Sequence, residues 1–66
     1  MLTRIQIWTQ ARQFVRDFTD KAETECDAKI ALLESLGELF AANSWRHVRA
    51  VIPRVRRGEQ PPPDYR

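Results

Sequence analysis

Apolar positions near the start of the chain recur at spacings of three and four. Ile7, Ala11, Phe14, Val15 and Phe18 form one stripe, which Ile5 and Trp8 widen. That period places them on one face of a helix. Arg4, Arg12, Arg16 and Gln13 occupy the rest of the circumference. The helix start is marked twice. Thr3 followed by Gln6 is a capping box, and Leu2 and Ile7 stand at the positions of a hydrophobic staple, so Thr3 is the predicted N-cap. Neither Pro nor Gly interrupts the chain before Gly37.

The next stretch, 19–29, has only Ala22, Cys26 and Ala28 as apolar residues. Two readings fit it. The helix runs through with a thin stripe at 18, 22, 26, 30 and 33, or a turn falls near 19–21 with Asp20 as N-cap and Glu23 completing a second capping box. From 30 to 42 the chain is apolar nearly all round. Ile30, Leu33 and Phe40 line one face; Leu32, Leu36 and Leu39 line another. A helix apolar on two faces is buried on two faces. One face can meet the first helix, and the other calls for a second molecule. Gly37, in the middle, permits close helix approach, marks a break (with Ser35 and Glu38 as a third capping box), or is simply tolerated.

Asn43-Ser44 reads as a break, because Asn takes a left-handed C-terminal position and Ser caps a following helix. Trp45, Val48, Val51, Ile52 and Val55 then keep helical spacing. Pro53 pushes Ile52 toward extended geometry, so this helix is expected to end at about 51–52. After Gly58 the chain reads Glu-Gln-Pro-Pro-Pro-Asp-Tyr-Arg, whose prolines favour an extended polyproline tail. The expected fold is therefore all-α: a helical hairpin, or one long bent helix, from Thr3 to about Ala42, followed by a short basic helix at 45–52, dimerising into a helical bundle. Residues 1–58 form the helical domain and 59–66 the tail.

Length sharpens the case for a partner. A chain of 66 residues buries only about 60% of its unfolded surface, and small folds need a staple. Cys26 is the single cysteine, so no disulfide can form within the chain. Neither a Cys-x-x-Cys motif nor a His pair offers a zinc site. A second copy of the chain remains, with Ile30, Leu32, Leu33, Leu36, Leu39 and Phe40 as its expected interface. The lone cysteine also fits a reducing compartment, so a cytoplasmic location is expected. The start carries no signal-peptide pattern, and the longest apolar runs, four residues each, fall far short of a membrane span of about 20.

Charge is divided into blocks. Residues 1–16 hold Arg4, Arg12 and Arg16 without an acid, giving +3. Residues 17–38 hold seven acids against Lys21 and Lys29, giving −5, and 39–66 hold six arginines against Glu59 and Asp64, giving +4. The layout favours antiparallel neighbours, within the chain or across a dimer, although exposed pairs are worth only about 0–1 kcal/mol each.

Catalysis is not expected from these residues. His47 is the one histidine, the residue type most used as a general base. No nucleophile has an evident base beside it, and no phosphate-binding or metal-binding motif occurs. Glu34 and Glu38 share a helix face but lack a His partner, so no metal or other cofactor is expected. Cys26 reads as a small apolar residue at a helix seam.

The segment from Arg46 to Arg57 carries five arginines in twelve residues. Three readings compete for Arg46, Arg49, Arg54, Arg56 and Arg57 with Trp45: an acidic protein surface, a nucleic acid with Trp45 and Tyr65 stacking on bases, or a solvated face. In size and layout the chain resembles small plasmid- and phage-encoded helical hairpins that dimerise into bundles. This is a likeness of architecture that carries over no site residues. The expectation is a non-enzymatic regulator or inhibitor that acts as a homodimer on a larger, acidic protein partner, with no membrane involved. The alternative is a nucleic-acid-binding regulator that uses the C-terminal arginines.

Overall fold

Residues 2–61 are described by a computed structural model, and among them every regular element is helical. Helix α1 spans Arg4–Phe18, a single 3-10 turn follows at Thr19–Lys21, α2 spans Ala22–Ser35, and α3 spans Leu39–Arg56. The first two helices touch each other little, and each packs mainly on α3. No helix of the described residues is long and apolar enough to cross a membrane.

The start of α1 follows the sequence signal. The Thr3 hydroxyl oxygen accepts from the Gln6 N–H at 3.2 Å, and the Thr3 N–H donates to Gln6 Oε1 at 2.9 Å. Trp8 and Ala11 are buried, and Leu2, Ile7, Phe14 and Val15 pack partly buried around them. Ile5 departs from the expected stripe. It is 52% exposed, because α3 covers the side of α1 that bears Trp8 and Ala11 and leaves the Ile5 edge to solvent.

A break does occur near 19–21, but it is not capped as expected. Lys21, not Asp20, stands at the start of α2, and it makes no side-chain cap. Thr19 carries the turn with φ 49°, a conformation unusual for a β-branched residue. Its hydroxyl donates back to the Phe18 carbonyl at 2.8 Å. Glu23 does not reach back to a cap, because its carboxylate is taken by Arg56.

Gly37 ends α2. It adopts φ +77°; its N–H donates to the Glu34 carbonyl at 3.0 Å, and the Glu38 N–H donates to the Leu33 carbonyl at 2.9 Å. This is a Schellman stop, which requires a left-handed residue. A Cβ at position 37 would meet nothing within 4 Å, so backbone conformation and not close packing explains the glycine. The third capping box does not form: the Ser35 hydroxyl donates to the Leu32 carbonyl at 2.7 Å, and Glu38 precedes α3 without a side-chain cap.

Helix α3 corrects the expected C-terminal layout. The short helix at 45–52 is part of one 18-residue helix that starts at Leu39 and ends at Arg56. Asn43-Ser44 is no break. Ser44 is 2% exposed, and its hydroxyl oxygen accepts from the Leu2 N–H at 3.4 Å. Continuity keeps Ala42, Val48 and Ile52 on one buried stripe, and this outweighs the local preference of Asn and Ser for caps. Pro53 lies inside the last turns. There it costs one N–H bond to the preceding turn, while Val51 and Ile52 stay buried. A second Schellman stop at Gly58, φ +87°, closes the helix.

The core is made largely of small residues. Trp8, Ala11, Ala22, Cys26, Ile30, Ala42, Val48, Val51 and Ile52 are buried. The body is 14 Å across its thinnest direction, so few side chains lie far from solvent. Of the expected tail, Glu59, Gln60 and Pro61 are non-helical, and positions 62–66, including Tyr65, lie outside the described residues.

Candidate interaction surfaces

The arginines of α3 and the acids of α2 form a ladder. Arg46 pairs with Glu34, Arg49 Nε meets Asp27 Oδ1 at 3.0 Å, and Arg56 pairs with Glu23. Partner numbers fall on α2 as they rise on α3, so the two helices run antiparallel. Arg56 also donates to the Thr19 carbonyl at 2.7 Å, tying α3 to the turn that ends α1. The hydrogen bond from Arg56 lowers the Glu23 carboxyl below its ordinary pKa, and the same bond raises the Arg56 guanidinium.

The remaining two arginines of the segment converge on Glu59. Arg54 Nε lies 2.9 Å from Oε1 and Arg57 Nη2 lies 2.7 Å from Oε2. Arg57 first, then Arg54, holds the Glu59 carboxyl below its ordinary pKa. The Arg54 guanidinium also sits 5.2 Å over the Trp8 ring. All five arginines expected to bind a partner therefore meet a carboxylate of the same chain. Trp45 is half-buried, with its ring 5.4 Å from that of Phe14 and the Lys29 ammonium 4.7 Å over it.

The six expected interface residues divide in two. Ile30 is 9% exposed and lies in the chain's own core, and Leu33 is half-buried against it. Leu32, Leu36, Leu39 and Phe40 are 59%, 65%, 66% and 83% exposed and gather around the α2–α3 turn. From Leu32 the apolar surface continues into a groove of about 300 Å³ lined by Phe14, Phe18 and Ala28, with Glu25 and Lys29 at its rim.

A third surface was not singled out from the sequence. On the outer side of α1, Thr9, Arg12, Gln13 and Arg16 line a shallow groove of about 380 Å³. The available signal was the absence of any acid in residues 1–16, set beside an acidic middle able to absorb the C-terminal arginines.

Cys26 is fully buried and its thiol donates to the Trp45 carbonyl at 3.5 Å. Burial pushes its pKa up to about 11, the opposite of a reactive cysteine. Among the described residues no group of three His, Cys, Asp or Glu side chains is placed to hold a metal ion. Compared with family models, curated proteins and solved structures, the chain matches none.

Proposed function

We propose that the chain is a non-enzymatic binding module that self-associates through the apolar patch at the α2–α3 turn and, through that patch, engages a larger protein as a regulator or inhibitor. The observation that carries this reading is the exposure of Leu32, Leu36, Leu39 and Phe40 at one end of the molecule. A fully buried Leu or Phe contributes about 1.5–3 kcal/mol, so at their present exposure the four offer roughly 4–8 kcal/mol gross on each copy, about twice that across a dimer. Association costs about 4–15 kcal/mol. The difference supports a weak dimer of the module by itself. A tight complex needs apolar groups that a larger partner brings. The carboxylate partners of Arg46, Arg49, Arg54, Arg56 and Arg57 count against these residues as a free anion-binding face.

Sedimentation velocity over a concentration series tests the first half. Wild type is expected to shift from monomer toward dimer as concentration rises, and Leu36→Glu to remain a folded monomer. A wild-type monomer at every concentration up to the millimolar range overturns self-association. For the second half, nuclease-treated lysate is passed over immobilised wild type and Phe40→Asp. A protein retained by the first and not by the second supports the reading, and equal retention by both refutes it.

A further inference from the structure

The arginines of α1 lack what those of α3 have. Among the described residues Arg4 and Arg12 enter no ion pair, and Arg16 meets only its neighbour Asp17, at 3.3 Å. Arg46, Arg49 and Arg56 are each joined to an acid on α2. Among the described residues, the arginines that meet no carboxylate beyond an adjacent residue's are those of the N-terminal helix.

We propose that the outer face of α1 is a duplex nucleic-acid contact in which Arg12 and Arg16 engage backbone phosphates. The two side chains stand one helical turn apart on the same edge, with Cβ atoms about 5–6 Å from each other. Thr9 and Gln13 border them in the same groove. Arginine, threonine and glutamine are among the side chains that make most contacts to sugar and phosphate. A protein interface needs an apolar centre, and this groove has none: Ile5, two turns before Arg12 on the same edge, is the one large exposed apolar neighbour in α1's first half. Apolar surface is concentrated elsewhere, at the α2–α3 turn. A single strand would call for exposed aromatic rings beside the arginines to stack on, yet the exposed rings, Phe18 and Phe40, do not line this groove. An exposed helix face suits a duplex groove.

The test is fluorescence anisotropy of a labelled 20-bp mixed-sequence DNA duplex with the full chain at 50–200 mM salt. Wild type is expected to bind, with log K falling linearly against log salt. Arg12→Ala with Arg16→Ala should flatten the slope by about 1.8, at about 0.9 for each phosphate that is no longer neutralised. Over that fourfold salt range this is roughly a twelvefold smaller change in affinity. Arg12→Lys with Arg16→Lys should keep the slope, and Arg46→Ala should leave binding unchanged. Thr9→Glu, which adds a negative charge to the same groove, should weaken binding and covers the case in which the alanine variant fails to fold. The proposal is overturned by wild-type affinity and slope in the alanine variant or in folded Thr9→Glu, by no binding of wild type at 50 mM salt, or by equally tight binding of a polyglutamate peptide, which would assign the face to an acidic protein.

Discussion

Arg56 and Glu23, 33 residues apart in the chain, are joined side chain to side chain where the end of α3 passes the start of α2. The same guanidinium holds the Thr19 carbonyl at 2.7 Å, at the residue with the strained backbone. One side chain thus links all three helices at the corner where α1 gives way to α2.

Removing that link should loosen the corner. Arg56→Ala is expected to lower the urea midpoint modestly, as for other exposed pairs, with Glu23 the more sheltered partner at 23% of its side chain accessible. A double-mutant cycle with Glu23→Gln in urea isolates the pair. A coupling indistinguishable from zero would mean that Arg56 acts through Thr19 alone.

Stability should fall at both ends of the pH scale. The folded Glu23 carboxyl lies below its ordinary value of 4.5, so its contribution is present above that pH and is lost as pH falls through the lowered value. The Cys26 thiol lies above its ordinary value of 9.0, at about 11, so its contribution is present below pH 9.0 and is lost as pH rises toward 11. Urea midpoints measured from pH 3 to 10.5 should form a plateau between these limits. Glu23→Gln should shallow the acid limb only, and Cys26→Ala the alkaline limb only.

Thiol labelling should report opening of the α2–α3 seam. Cys26 is fully buried, so a disulfide reagent at pH 8 should leave the native protein almost untouched and react promptly in denaturant. Rapid labelling of native protein at the rate of a free thiol would contradict the packing of Cys26 beneath Trp45.

Gly37→Ala should cost about 1–2 kcal/mol, the left-handed penalty for a residue with a Cβ. Open space around the site means that the whole effect is conformational. Asn, which tolerates this geometry better, should cost less than Ala when both are compared in one denaturation series.

The start of α1 was legible in the sequence, whereas the capping boxes read at Asp20–Glu23 and Ser35–Glu38 do not form. The Thr3–Gln6 cap joins residues three apart, and the helical character of the chain follows from its spacing of apolar positions. Gly37 left three readings open because a stop, a close approach and a tolerated glycine look alike locally; the carbonyls of Leu33 and Glu34 decide for the stop. Asn43, Ser44 and Pro53 misled because their signals are local, while the continuity of α3 is set by burial against α1 and α2. The ladder joins residues 12, 22 and 33 apart. Charge blocks indicated that such pairs could form, but which guanidinium meets which carboxylate depends on the antiparallel alignment of α2 and α3, a property of the packed helices. That alignment occupies Arg46, Arg49 and Arg56 with acids of α2 and, among the described residues, leaves Arg12 outward without an acid and Arg16 with its neighbour Asp17 alone.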